Sequence, residues 1–300
     1  MTFTTDDWKL IVPAVITVSL FFAGQIAITW RDRNKEHNRL KDVREYFYVC
    51  LIHLQKGVEM QIVADGKLIK VFEAEIKSKN SQHHQHRRFI ELSVNQILSI
   101  SKNDTFKFLV LKKKKYKTER IKKYTPLYTH LELIEKTESI MDEASKEYAN
   151  THIKKTDEFA QYVNGIIEII TDTTKTYFEN QQKDMPVFHR KLHDIYNNQY
   201  VPIEIKTVDA IRENFCLPLH EICLAHLDSP DSFSIIRLNQ LAEVAFVEML
   251  DAKKQMNRKI QDELAACNSS LQIIEGTIKT AFKDMRYDGK VFGYSKLELP

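Results

Sequence analysis

His189 and His193 lie four residues apart, and Asp194 follows the second directly, in the run Phe-His-Arg-Lys-Leu-His-Asp that begins at Phe188. Residues four apart share one face of a helix, so the two imidazoles could ligate one divalent ion. Cys216, His220, Cys223 and His226 form a second constellation, and mixed thiolate and imidazole ligands suit zinc. Ten residues of helix rise about 15 Å, too far for all four to meet at one ion. Pro218 interrupts the stripe, and Leu217, Leu219, Ile222 and Leu224 leave no clean polar face, so the segment reads as buried helix with small apolar thiols. A third cluster, His83, His84 and His86, stands beside Arg87 and Arg88 with no carboxylate or thiol near it in sequence, and reads as a solvated loop.

The His193-Asp194 doublet resembles that of the HD phosphohydrolases, an all-helical metal-dependent family. That resemblance implies an upstream histidine and a downstream aspartate on other helices, for which His152 and Asp209 are the nominees; the small residues usual around the doublet are absent. No Walker A, GxGxxG, GxSxG or HExxH sequence occurs. No catalytic residue, metal ligand or cofactor is therefore assigned. His189, His193 and Asp194 carry an alternative reading, a membrane-anchored metal-dependent hydrolase.

Residues 107–123 hold nine basic side chains against one acidic: Lys107, Lys112, Lys113, Lys114, Lys115, Lys117, Arg120, Lys122 and Lys123 against Glu119. Four consecutive lysines on a helix sweep around its axis, so some must meet solvent, lipid or a polyanion. Lipid is the favoured contact and nucleic acid the less favoured one.

Lipid is favoured because residues 10–30 form an uncharged apolar run of 21 residues, long enough as a helix to cross the roughly 30 Å hydrocarbon core of a bilayer. Trp8 and Trp30 stand near its ends, where indoles favour the headgroup zone, and Gln25 could seek a partner helix. Asp6, Asp7 and Lys9 precede the run, whereas Arg31, Arg33, Lys35, Arg39, Lys41 and Arg44 follow it. The positive-inside rule then predicts a single pass through the plasma (inner) membrane, with residues 1–9 outside and the remainder cytoplasmic. A cleaved signal peptide fits less well, because the start is acidic and the run is long.

The elements that must position these groups read as helices. Seven glycines and seven prolines in 300 residues are too few for a turn-rich β or α/β fold, and 43% hydrophobic residues suffice for a core. A net charge of +3 argues against bulk affinity for nucleic acid. Four scattered cysteines suit a reducing compartment. Apolar spacing predicts a helix from Leu40 through Leu54, Val58, Ile62, Leu68 and Phe72, bending near Gly66 and stopping between residues 77 and 86. Further helices are expected at 88–101, 127–148 and 151–180, with Pro126 as a break, Asn103 or Asp104 as a cap and residues 201–206 as the one short strand allowed. Ser229-Pro230-Asp231 marks the start of a last helix over 233–284, whose steps 252, 256, 260, 264 are all fours and drift from a heptad. It is expected to pack on the helix leaving the membrane.

The expected fold is thus all-α: a transmembrane anchor at 10–30, a cytoplasmic helical bundle at 31–286 and a tail at 287–300 that docks on the bundle or is offered to a partner. The expected function is a non-catalytic membrane-tethered sensor or scaffold that recruits a cytoplasmic protein or a second copy. A membrane-perturbing effector that oligomerises through Gln25 and Ala23-Gly24 is a further alternative.

Overall fold

The computed structural model describes residues 5–111, 117–179 and 185–287, and among them every regular element is helical. Eight α-helices follow in order: α1 (Thr5–Ser78), α2 (Glu91–Leu98), α3 (Lys102–Phe106), α4 (Lys117–Glu179), α5 (Val187–Ile195), α6 (Val208–Ile211), α7 (Leu217–Leu224) and α8 (Pro230–Tyr287). Wider π-helical turns occupy Lys107–Leu111, Tyr196–Tyr200 and Arg212–Cys216. The all-α expectation holds. The strand allowed at residues 201–206 does not form; Val201 and Pro202 turn directly out of the π-helical segment.

α1 runs through Gly66 without interruption, since a single glycine costs a helix only about 1 kcal/mol. It ends at Lys79, whose φ of 54° is left-handed. Asn80 N–H reaches Glu75 O at 2.8 Å and Lys79 N–H reaches Ile76 O at 3.3 Å, the paired bonds that close a helix after a left-handed residue. α4 runs through Pro126, where a break was expected. The carbonyl deprived of a donor belongs to Lys122, and Lys122, Thr129 and Leu133 on that side of the helix are exposed. The separate helices expected at 127–148 and 151–180 are one, because no glycine or proline separates Tyr148 from Thr151. Ser101 rather than Asn103 or Asp104 caps α3, its Oγ accepting from Asp104 N–H. α8 begins at Pro230, whose missing N–H is harmless in a first turn.

The chain divides into two compact units. One comprises residues 1–58, 90–133 and 270–300. Its core holds Phe47, Leu51, Leu54, Val94, Ile97, Leu127 and Leu131, with Phe47 and Phe108 edge to face at 5.5 Å. Arg39 clamps Asp104 with two hydrogen bonds of 2.7 and 2.8 Å.

The other unit comprises residues 59–89 and 134–269. Here α8 packs on α1 as expected: Ile69 and Phe72 of α1 share a buried cluster with Met256 and Ile260 of α8 and with Met141 and Tyr148 of α4. A larger cluster joins Phe159, Ile166 and Ile170 of α4, Phe188 and Leu192 of α5, Phe215, Leu219 of α7, and Phe246 and Met249 of α8. Between 249 and 270 the buried positions of α8 include 249, 253, 256, 260, 263, 267 and 270, which alternate fours and threes, with Leu250 and Asn257 buried beside them. The helix therefore keeps the heptad spacing that its apolar residues alone do not show, because Lys253 and Glu263 occupy two of the stripe positions.

Among the described residues no helix is long and apolar enough to cross a membrane. The side chains of residues 5–14, which include Trp8 and the first part of the expected anchor, lie outside the described residues. Residues 15–30 of α1 span about 24 Å as helix, short of a bilayer core on their own. The tail after Tyr287 lies outside the described residues.

Candidate metal centre

After α1 ends, residues 80–89 return along that helix in extended form. The return is fixed at three heights: His84 Nε2 lies 2.7 Å from Glu75 Oε1, His86 Nε2 lies 3.0 Å from Asp65 Oδ1, and Phe89 N–H donates to Gln61 Oε1 at 3.1 Å. In extended chain, alternate residues face alternate sides. His84 and His86 therefore both turn toward α1, whereas His83 stacks on Tyr148 at 5.0 Å. The histidine tract read as a solvated loop is thus split: His83 is exposed, His84 half-buried and the His86 side chain only 2% exposed.

His86 meets carboxylates that the sequence places far from it. Asp65 of α1 and Glu263 of α8 are buried, and Glu263 Oε2 lies 2.9 Å from His86 Nε2. One ligand atom from each of Asp65, His86 and Glu263 falls within 4.8 Å of the others. Gln61 holds the cluster: its amide nitrogen lies 2.8 Å from Asp65 Oδ1, 3.1 Å from Arg87 O and 3.1 Å from His86 Nε2, three contacts for two amide hydrogens. The signal for this site lies in the α1 stripe. Its buried positions run Leu54, Val58, Gln61, Asp65, Ile69 and Phe72, so two polar residues stand where Ile62 and Leu68 were expected to carry the apolar face.

Hydrogen bonding inside the cluster is incomplete. Asp65 Oδ2, His86 Nδ1 and Glu263 Oε2 are buried and accept or donate no hydrogen bond. Glu263 Oε2 is thus near enough to His86 Nε2 for an ion pair without being aligned as an acceptor. Burial pushes the Glu263 carboxyl above the ordinary carboxylate range, more than His86 draws it down. Burial is also the largest influence on His86 and lowers it, but hydrogen bonding to Asp65 and the closeness and charge of the two carboxylates together outweigh it and hold the imidazole at about 9. A surface pocket of about 210 Å³ borders the cluster, with Asp65, Gln85, His86 and Arg87 in its wall. Cys267, one turn from Glu263, stays a thiol because burial and the nearby carboxylates disfavour the thiolate.

The residues singled out from sequence lie elsewhere. His189 Nε2 pairs with Asp231 of α8 at 3.0 Å, the amide of Asn197 reaches the His193 ring at 2.9 Å, and Asp194 is exposed. His152 and Asp209 converge on Ser81 instead: His152 Nε2 donates to Ser81 O at 2.6 Å, and Asp209 Oδ1 accepts from Ser81 N–H at 2.8 Å. Among the described residues no hydrogen bond or ion pair joins them to the His193-Asp194 doublet. Cys216 and Cys223 are buried thiols, pushed by burial up to about 12 and about 11; His220 and His226 are half-buried, and the His226 ring lies tilted against Phe188. Lys112, Lys113, Lys114 and Lys115 lie outside the described residues, as does the side chain of Lys117. Arg120 donates to Leu109 O, Lys123 to Thr280 Oγ1, and Lys122 is exposed. Trp30 is exposed, and the Gln25 carbonyl accepts from Thr29 Oγ1 at 2.8 Å. Compared with protein-family models, with curated proteins and with solved structures, the chain matches none of them.

Proposed function

We propose that the chain is a membrane-tethered helical module that recruits or senses a cytoplasmic partner, a second protein or another copy of itself. One observation supports the tether. Every position from 15 to 30 in α1 is exposed, and Val15, Ile16, Val18, Leu20, Phe21, Phe22, Ile26, Ile28 and Trp30 are between 52% and 69% exposed. A helix that is apolar all round is stable only inside apolar surroundings, a protein core or a bilayer. Residues 10–14, also uncharged, bring the apolar run to a spanning length. The cations that follow it, beginning with Arg31, Arg33 and Lys35, favour an outside N-terminus, a plasma (inner) membrane location and a cytoplasmic bundle. The lysines at 112–115 would add about 1 kcal/mol each of attraction to an anionic leaflet if they approach it.

The test uses the full-length chain reconstituted in vesicles. It should stay with the lipid through high salt and alkaline carbonate, and a reporter fused after Pro300 should be cytoplasmic. Phe21→Asp with Phe22→Asp, at about 2.5–3.5 kcal/mol per charge in a bilayer centre, should release it. Extraction of the unaltered chain into the aqueous phase by carbonate would remove the tether from the proposal.

A further inference from the structure

We propose that Asp65, His86 and Glu263 are the protein ligands of a divalent first-row transition-metal ion. This inference is independent of the membrane tether. It rests on three buried side chains that converge from α1, the return segment and α8, and on the polar atoms they leave without partners.

Protons alone leave the cluster unsatisfied. His86 Nε2 carries at most one hydrogen, yet carboxylate oxygens stand at 3.0 and 2.9 Å from it. Asp65 Oδ1 already accepts from Gln61, and neither amide hydrogen of Gln61 remains for Glu263. A buried carboxylate oxygen with no donor is costly, at about 1–3 kcal/mol or more for a charged group. An ion that displaces the proton from Nε2 would face two carboxylates and a neutral imidazole, two negative charges that a divalent ion cancels on site.

The spacing agrees with ligation. Two ligand atoms about 2.1 Å from one ion and at right angles to each other lie about 3.0 Å apart, near the separations of Nε2 from both oxygens. The chemistry narrows the ion. Ca²⁺ takes six to eight oxygens and Mg²⁺ keeps to oxygen, so one imidazole with two carboxylates favours Mn²⁺, Fe²⁺, Co²⁺ or Zn²⁺. Three protein ligands leave positions open, and the adjoining pocket, with Asp65 and His86 in its wall, supplies solvent or a small anionic ligand to fill them. Ligation at Nε2 places the ring proton on Nδ1, where it would need an acceptor such as a bridging water.

Gln61 is then a positioning residue. Its hydrogen bonds to Asp65, Arg87 O and Phe89 N–H set both the carboxylate and the return segment. Loss of such a supporting bond typically weakens metal binding about 10–100-fold.

The experiment is equilibrium dialysis of the full-length chain in detergent against Mn²⁺, Co²⁺ and Zn²⁺ separately, after chelator treatment, with metal counted by mass spectrometry. One ion per chain is expected. Asp65→Asn and Glu263→Gln keep size and shape, and each should weaken binding by more than the Gln61→Leu change does. Circular dichroism of the same samples confirms that the variants remain helical. Should a variant unfold, Co²⁺ absorption of the unaltered chain decides instead, since d–d bands report the ligand set directly. Failure of the unaltered chain to retain any of the three ions, or equal retention by folded ligand variants, would overturn the assignment.

Discussion

Two buried polar clusters lie along α1 within a few turns of each other, and they are satisfied to different degrees. At its C-terminal end Lys253, fully buried, places Nζ 2.7 Å from Glu75 Oε2 and 2.7 Å from Asn80 O, while Glu75 Oε1 takes His84. Each charge has an opposite charge, and the carbonyl that Lys253 binds belongs to the turn just after α1. Burial lowers the ammonium's affinity for its proton, and the Glu75 carboxylate works against that. The Asp65–His86–Glu263 cluster has instead two carboxylates for one imidazole and three buried atoms without partners. A closed network of this kind fixes a chain ending; an open one is a binding site in search of a positive charge.

The contrast predicts opposite responses to removing a carboxylate. Glu75→Gln leaves Lys253 as a buried charge without its counter-ion and should cost about 3–5 kcal/mol in denaturant unfolding. Lys253→Met combined with Glu75→Leu should recover most of that loss, because an apolar pair carries no desolvation penalty. A single variant as mild as the double one would show that the Lys253 pair is not the fixed network described above.

Glu263→Gln in metal-free protein should cost under about 1.5 kcal/mol, since it relieves excess negative charge where Glu75→Gln creates an unpaired positive one. The added ion should make the larger difference. At a free concentration 100 times its dissociation constant, Mn²⁺ or Zn²⁺ should stabilise the unaltered chain by about 2.7 kcal/mol and the Glu263→Gln chain by much less. Thermal melts with and without chelator read both effects. Gln61→Leu falls next, at about 1–3 kcal/mol, because it strands Asp65 and the Phe89 amide.

An exposed pair outside both clusters gives the smallest effect. Hydrogen bonding to Arg39 holds Asp104 below the usual carboxylate range. Its contribution is therefore present above pH 3.8 and is lost as pH falls below that value through the lowered pKa. Arg39→Gln should remove this acid-limb dependence, and 1 M salt should shrink it, since Arg39 is about half exposed. Acid titration of stability that is identical in the two proteins would show that the pair contributes nothing.

What the sequence made legible follows from these differences. The long helices, the start of α8 at Ser229-Pro230-Asp231 and the packing of α8 on α1 depend on local apolar spacing and breakers, which a linear reading detects. Pro126 does not break α4, because its effect depends on which side of the helix loses the bond. The site was missed for a related reason. Gln61, Asp65, Lys253 and Glu263 occupy core positions of their helices, but hydrophobic periodicity discards polar residues before asking where they fall. Counting them fills the gaps in the three- and four-residue spacing of both α1 and α8. Nothing local to the tract at residues 83–86 tells His86 from His83. Only the extended return along α1 gives one a carboxylate pair and the other an aromatic stack.

The most direct test of a cation among Asp65, His86 and Glu263 is pulsed electron paramagnetic resonance of Mn²⁺ bound to the full-length chain. Modulation from one directly ligated imidazole nitrogen is expected, and it should vanish in His86→Asn while Asn remains able to keep the helix packing. Bound Mn²⁺ with no nitrogen coupling, or coupling unchanged in His86→Asn, would contradict it.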